Sequence, residues 1–563
     1  MNKAPRYKTL GKPGFRLSLV RARLRSFGLS KTDAYAFHKT VLNWIESSGI
    51  EWTIGHLKDI KSVVMSHLRG QTDPDVWVAR TNGFPNKLSF LSSYPVDVIL
   101  RVVNFYKAIV FQDKTASQVE KFTSAVKRPD VDKDALACAN DLITLGMSIC
   151  AHIGRDQSFN DPSPFVLPKK SVKTMPLSDG KVVPRTSENF MKDLVTFLKG
   201  FHQSYVPTGP HGTGVLLWQH PDVQATLSWM DLDRILQSRM VFANIEEYRK
   251  VPSQLIGTIG TTQEGGGKLR CFANPHPVVQ AALEPLYKAL RLLALSDPCD
   301  FSLDQESGHE RVVELVESYG DCYYYDLSNA TDAFPLSLQT SWMRHFGWNT
   351  NQIALFEWSS KKNWKFGHDI ISWSVGQPLG LLPSFHSFGC THSALLRGIE
   401  MSIHGHPTDR YCIVGDDVVI ADAKVAKVYA QVMNSLGVKT SDDKSSHGSR
   451  YVEFCGRVID QGNKYKIGKS KPVKASSFLS LGHEYGKSFK YEATRFLKEL
   501  KVSDPSGLVD AIFSLPLPYG LGFGDGTPLR QRLNNPLSAQ WVLQIKASFG
   551  KLQKPISSGF QML

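Results

Sequence analysis

No run of 18 apolar residues occurs anywhere in the 563-residue sequence, so no integral membrane segment is expected. The most apolar stretch, residues 97–111 (DVILRVVNFYKAIVF), is interrupted by Arg101 and Lys107 and reads as a buried helix. Cysteine is scarce and unpatterned: none of the eight forms a C-x-x-C pair, which excludes structural-zinc spacing, and the chain is long for a disulfide scaffold. The cysteines therefore read as buried thiols in a reducing compartment. No secretory apolar core follows the start. No internal repeat or low-complexity tract is found. Acidic residues are missing from the first 32 positions, which carry nine basic ones. Such an arm can be solvated, touch RNA, or resemble a mitochondrial transit peptide.

What is present is a globular composition: 42% hydrophobic and 21% charged residues, with 30 Phe and 11 Trp to build a large core. The length excludes a small binding module as the whole story and allows several domains. A net charge of +14 favours polyanionic partners, chiefly nucleic acid.

Along the chain, residues 33–154 read mostly as helices, and the Pro-, Lys- and Ser-rich stretch 155–190 reads as a boundary. Helical patterns resume over 191–250. Gly265–Gly267 interrupt regular structure, and Lys268 and Arg270 alternate on a short strand. Residues 278–296 read as a helix with a break at Pro285. From Cys322 the pattern turns to strands: CYYYDLS, then the hairpin pattern RYCIVGDDVVIA at 410–421, then the strand pair YVEFCGRVI at 451–459. A helix closed by Gly437 lies between the last two. Another helix is expected near 490–500, followed by Pro/Gly-rich turns over 504–528.

Chemistry concentrates at two acidic centres that end apolar strands. One is Asp326-Leu-Ser-Asn-Ala-Thr-Asp332, the other Gly415-Asp416-Asp417. Adjacent strands would bring Asp326 beside Asp416 and Asp417. Carboxylates so crowded repel unless cations neutralise them, and Mg²⁺ suits hard oxygen ligands and phosphates. Gly-Asp-Asp alone is a common surface turn. Its apolar rails, YCIV and VVIA, are not. The reading requires Asp326 to lie within about 10 Å of the turn, since paired catalytic ions sit about 4 Å apart.

These residues resemble viral RNA-directed RNA polymerases of the mitovirus, narnavirus and ourmia-like group, with more distant similarity to RNA-phage replicases. Asp326–Pro335 resembles palm motif A and Gly415–Asp417 motif C. Ser374-Val-Gly376-Gln377-Pro-Leu-Gly380 resembles the motif B loop, leading into a helix over about Ser384–Arg397 with Thr391 and His392 where the family often has Thr-His. Where mitovirus-like sequences often read Ser-Ser-Trp, this chain has Pro383-Ser384-Phe385. His392 also reads as a satisfied core histidine. Residues 434–446 resemble motif D, Glu453–Gly456 motif E and Gly267–Arg270 motif F, while Asp304-Gln305 resembles an element just before motif A.

The resemblance implies an α+β right-hand polymerase with an antiparallel palm sheet and a largely helical N-terminal region. Its parts would be an N-terminal helical extension with a basic arm (1–190), fingers with motif F (191–320), a palm (321–460) with a fingers insert near 340–372, and a thumb and C-terminal region (461–563). It implies template-directed transfer of nucleotides from NTPs to the 3′ end of RNA during viral replication. Asp326, Asp416 and Asp417 would hold two Mg²⁺ ions, with Mn²⁺ as a substitute, and Lys444 would be the general acid. Lys268 and Arg270 would steady the triphosphate, Asp332 would lie near the sugar, and Gly376, Gln377, Gly380 and Ser384 would complete the substrate site. The implied partners are single-stranded RNA template, nascent RNA and NTPs around a monomeric core. Host factors are compatible with it but marked by no residue. The compartment would be host cytoplasm or mitochondrion. A reverse transcriptase shares the palm but usually carries Tyr/Phe-x-Asp-Asp. A non-enzymatic basic RNA-binding protein has no use for strand-end carboxylates facing phosphate.

Overall fold

In the first described helix, apolar residues recur at 34, 37, 41 and 45, the spacing of one helix face. The computed structural model describes residues 20–68, 86–155, 187–228, 255–440, 445–465 and 489–550, short interior stretches apart, together with the short strands 174–176 and 182–184. Helix α1 (Lys31–Ser48) starts at Ser30, whose side chain accepts from the Asp33 backbone N–H, and stops at Gly49. Helix α2 (Ile50–Leu68) follows, then α3 (Val96–Val103). The apolar stretch 97–111 is buried as expected, but α3 gives way to a 3₁₀ turn over Asn104–Ala108 rather than running on as one helix. Asn104 bonds back to the Leu100 carbonyl from the turn. Helices α4 (Ala116–Val126) and α5 (Lys133–Met147) complete the N-terminal part.

A glycine-interrupted hairpin comes next, β1 (Leu255–Gln263) and β2 (Leu269–Pro275). The helical pattern at 278–296 is split into α6 (Pro277–Ala282) and α7 (Glu284–Ser296), with Pro285 in the first turn of α7, where a missing N–H costs nothing. Helix α8 (Gln305–Tyr319) is capped by Asp304, which gives that residue a structural role. Strand β3 (Cys322–Asp326) carries the first acidic centre. Strands β4 (Asn363–Phe366) and β5 (Asp369–Ile371) join the earlier hairpin in a sheet of order β2-β1-β4-β5.

Helix α9 (Ser384–His404) is longer than expected and ends at Gly405 with φ +79°. It is buried over most of its length and crosses α5 at two glycines. A Cβ on Gly146 would fall 1.9 Å from the Ala394 carbonyl, and one on Gly398 1.8 Å from the Leu142 carbonyl. Strands β6 (Tyr411–Val414) and β7 (Asp417–Ile420), helix α10 (Ala423–Ser435) and strand β8 (Ser446–Ser449) complete the central antiparallel sheet, of order β6-β7-β3-β8. One face of this sheet packs into the large core with α9 and α10 through Tyr325, Ile413, Val418 and Ile420. The other face, with Tyr324, Val414 and Val419, packs on α8 and on strands β9 (Val452–Phe454) and β10 (Arg457–Asp460).

Near the C-terminus are α11 (Lys490–Glu499), α12 (Pro505–Ser514) and α13 (Pro536–Gly550). Helix α12 corrects the expectation of turns over 504–528. Asp504 caps it and Pro505 occupies its first turn, so the Pro/Gly signal marks a helix start. Phe489, Ala493, Ile512 and Phe513 share a core with Phe37, Leu57, Val102 and Phe105 of the N-terminal helices. The architecture is α+β, as expected. Among the described residues no helix is long and apolar enough to cross a membrane.

Candidate active site

Strands β3 and β7 are antiparallel with Asp417 directly opposite Asp326. Residues so paired project to the same face with Cβ atoms about 4.5–5.5 Å apart. Asp416 occupies the two-residue turn between the paired Val414 and Asp417. Gly415, the first turn residue, takes φ +62°, which a II′ hairpin turn needs and glycine supplies. The chain thus brings both acidic centres to one corner of the sheet.

Tyr324, two residues before Asp326 on the same face, donates its hydroxyl to Asp417 Oδ1 at 2.6 Å. Burial pushes the Asp417 carboxyl up to about 6. The charges of Asp416, Asp326 and Glu453 add to this, while the Tyr324 hydrogen bond opposes it. Glu453 on β9 is a fourth carboxylate at this corner. It is buried against Lys61 of α2 at 2.6 Å, with Lys107 4.0 Å away. Hard anionic oxygens crowded in this way suit a divalent cation. Among the described residues no three His, Cys, Asp or Glu side chains are gathered into one cluster.

The basic strand faces this corner. Lys268 and Arg270 are both exposed, and Arg270 lies within the electrostatic reach of Asp416. Its guanidinium is held by Glu264 at 2.6 Å, the main reason its pKa is raised. The preceding glycines dock on the N-terminal region. The Gly266 N–H donates to the Ile109 carbonyl at 2.9 Å, and a Cβ on Gly265 would fall 1.5 Å from the Lys107 carbonyl.

The glycine-rich loop wedges between the first acidic centre and β2. A Cβ on Gly376 would fall 2.3 Å from the Thr331 carbonyl, and one on Gly380 2.3 Å from the Ala273 carbonyl. Gln377 is fully buried, donating to Gln339 at 2.6 Å and to the Ser384 carbonyl at 2.9 Å. Gly376, Gln377 and Ser384, expected at the substrate site, are buried within this loop. Asp332 accepts from the Trp373 indole N–H at 2.8 Å, and burial pushes its carboxyl up to about 6 against that hydrogen bond. Lys444 lies outside the described residues.

Residues 188–469, half of the chain, match the mitovirus RNA-dependent RNA polymerase family. The chain belongs to that family. Over 242 residues it is 28% identical to the RNA-directed RNA polymerase of Cryphonectria parasitica mitovirus 1, covering 42% of this chain and 29% of that polymerase. It is also 34% identical over 158 residues to an uncharacterized mitochondrial protein of Arabidopsis thaliana, covering 26% of this chain and 75% of that protein. A solved RNA polymerase complex inside a double-stranded RNA virus aligns with TM-score 0.48 and 9% identity, over 88% of this chain and 48% of its own. The chain thus spans less than a third of the mitovirus polymerase and about half of the solved viral one. As a mitovirus polymerase family member it has the right-hand polymerase fold, and its central antiparallel sheet carries Asp326, Asp416 and Asp417.

Some contributors to this corner escaped sequence reading. Tyr324 belongs to an aromatic run that reads only as strand. Trp373 lies one residue before the glycine-rich loop, with nothing marking it as a partner of Asp332. Arg128 ties the first acidic centre to the end of α10 through the Ala333 and Leu436 carbonyls, both at 2.8 Å. No local pattern announces it.

Proposed function

We propose that the chain catalyses template-directed RNA synthesis on RNA, adding ribonucleotides from NTPs to a 3′ end during viral genome replication. The observation that carries this is the register placing Asp417 opposite Asp326 with Asp416 in the adjoining turn. In this reading Asp326 and Asp416 hold two Mg²⁺ ions, or Mn²⁺ in their place, with Asp417 supporting them. Bound ions would activate the attacking hydroxyl and neutralise the leaving phosphate.

The chain's own residues supply the rest. Lys268, directly before β2, and Arg270 on it present positive charge to the triphosphate from exposed positions. Asp332, oriented by Trp373, lies beside the sugar. Gly376 and Gly380 allow the loop to fit between the first acidic centre and the basic strand. Lys444 as proton donor to the leaving group rests on the family resemblance alone. Template is read by pairing, and the protein grips its backbone.

The four parts proposed from the sequence remain our division of the chain: N-terminal extension, fingers, palm with its insert, and thumb. The mitochondrial description of the Arabidopsis relative favours the mitochondrion over the cytoplasm. Primer-free extension on a defined RNA with Mg²⁺ and the four NTPs tests the activity. Ribonucleotide incorporation that Asp416→Ala abolishes supports it. Incorporation of dNTPs in preference would favour a reverse transcriptase, and no product with or without a primer would sink the reading.

A further inference from the structure

The turn that carries Asp416 is held from behind by helix α9. His392 is fully buried there, with Nδ1 2.9 Å from the Gly415 carbonyl oxygen and Nε2 2.8 Å from the Tyr429 hydroxyl on α10. A carbonyl can only accept, so Nδ1 carries the proton. Nε2 then accepts, and the Tyr429 hydroxyl donates. Each group has one role, and the chain runs Tyr429 to His392 to Gly415 without ambiguity. The ring is bracketed by Phe388 at 5.4 Å and Tyr429 at 5.6 Å. Burial keeps the imidazole neutral at physiological pH.

A second residue of the same helix touches the same turn. Phe385, two turns before His392 and on the same face, packs so closely that a Cβ on Gly415 would fall 2.8 Å from its ring. Phe385 stands where this chain departs from the usual motif B sequence. The Gly415 carbonyl and the Asp416 N–H belong to one planar peptide. Fixing that carbonyl fixes the plane from which Asp416 departs. A two-residue hairpin turn has no other hydrogen bond of its own at this carbonyl to prevent rocking.

We propose that His392 is a positioning residue of the catalytic turn: polarised and oriented by Tyr429, it clamps the Gly415 carbonyl and so sets Asp416 to receive a divalent ion. This rests on the reading of Asp416 as an ion-holding carboxylate. His392 touches neither substrate nor ion, so it acts only through the turn. Partners of this kind typically alter metal affinity about 10–100-fold when removed. The lower end is expected where, as here, the partner grips backbone.

Asparagine and glutamine separate the two ring nitrogens. In His392→Asn the side-chain amide stands near the Nδ1 position and keeps a donor for Gly415. In His392→Gln the amide reaches the Nε2 position and leaves Gly415 without one. Tyr429→Phe removes the donor behind the ring and keeps its shape. The full chain, without RNA or nucleotide, is titrated with Mn²⁺, and free Mn²⁺ is read by electron paramagnetic resonance. Thermal unfolding and single-turnover extension run in parallel.

Asp416→Ala should abolish the binding, which establishes that the titration reports this site. His392→Gln should weaken Mn²⁺ binding about tenfold and slow single-turnover extension, with KM for NTP unchanged. His392→Asn should stay within about threefold of wild type, and Tyr429→Phe should fall between them. Equal Mn²⁺ affinity in wild type, His392→Gln and Tyr429→Phe, while Asp416→Ala still loses it, overturns the positioning role. If Asp416→Ala binds like wild type, the reading of the ion site fails instead. Should His392→Gln not fold, Tyr429→Phe decides: wild-type affinity in it overturns the inference, and a severalfold loss upholds it.

Discussion

The central sheet and the terminal body are built on opposite principles. In the sheet, each strand is a few residues long and the functional side chains sit at strand ends or in the adjoining turn, directly beside the apolar residues that fix them. In the terminal body, helices α1–α3 share one core with α11 and α12, about 400 residues away along the chain. The sheet and its turn hold Asp326, Asp416 and Asp417, and the terminal body holds none of them. Yet the terminal body meets the site at Glu453 through Lys61 and Lys107, and at the glycine turn through the Lys107 and Ile109 carbonyls. Chemistry is placed by short-range pattern, and its frame is assembled by long-range packing.

The sharpest separation of the two regions comes from Asp416→Ala. Asp416 is exposed on its turn and contributes nothing to a core. Extension should fall by at least about 10³-fold, equivalent to roughly 4 kcal/mol of barrier. Melting temperature should be unchanged or slightly raised, because one of several crowded negative charges is gone. Measurable Mg²⁺-dependent synthesis by the folded variant would contradict the placement of function in the sheet.

Lys61→Met reverses the pattern, acting on the frame. It leaves the buried Glu453 carboxylate without its 2.6 Å partner, and Lys107 at 4.0 Å is only a partial substitute. Loss of one member of a buried pair costs about 3–5 kcal/mol, and the lower end is expected here. The double variant Lys61→Met/Glu453→Gln should recover part of that in denaturant unfolding. An unchanged midpoint in the single variant would mean that the terminal body does not depend on this contact.

Asp417 feels the residue that the terminal body holds: burial first, then the charges of Asp416, Asp326 and Glu453, raise its carboxyl from 3.8 to about 6. A raised carboxyl binds protons better in the folded than in the unfolded state between these values, so stability falls as pH rises from about 4 to 6 and stays reduced above. Asp417→Asn removes this term. Relative to wild type, the variant should gain about 2 kcal/mol in going from pH 4.5 to 7.5 without divalent ions, somewhat less than the full two-unit shift allows. Equal pH profiles in urea unfolding would remove the electrostatic account.

The same contrast explains what could be read from sequence. The hairpin at 410–421 was legible because Val414 and Asp417 pair across a turn only two residues long, flanked by β-branched rails. Asp326 was legible as the end of an aromatic strand. Its exact partner, Asp417 rather than Asp416, is a matter of register, which no single strand encodes. Helix α12 was missed because Pro505 and Gly507 look like turn residues, and Asp504 makes them a helix start. His392 was visible as a histidine on an apolar helix, but Gly415 and Tyr429 lie 23 and 37 positions away. The Lys61–Glu453 pair, 392 residues apart, leaves no local trace.

The smallest effect tests whether the frame also tunes the chemistry. Gly265 and Gly55 are both glycines at the terminal body, but their surroundings differ. A Cβ on Gly265 would meet the Lys107 carbonyl at 1.5 Å, whereas one on Gly55, within α2, would meet nothing within 4 Å. Gly55→Ala should therefore stabilise the chain by about 0.5–1 kcal/mol through helix propensity and leave synthesis unchanged. Gly265→Ala must push the glycine turn away from the 3₁₀ segment, at about 1–2 kcal/mol. Because Lys268 and Arg270 follow directly on that turn, the displacement should raise KM for NTP severalfold while the metal dependence set by Asp326 and Asp416 stays put. A rise in KM without a change in metal dependence would show that the N-terminal segment positions the basic strand. Identical kinetics in the two alanine variants would show that the site takes its geometry from the sheet alone.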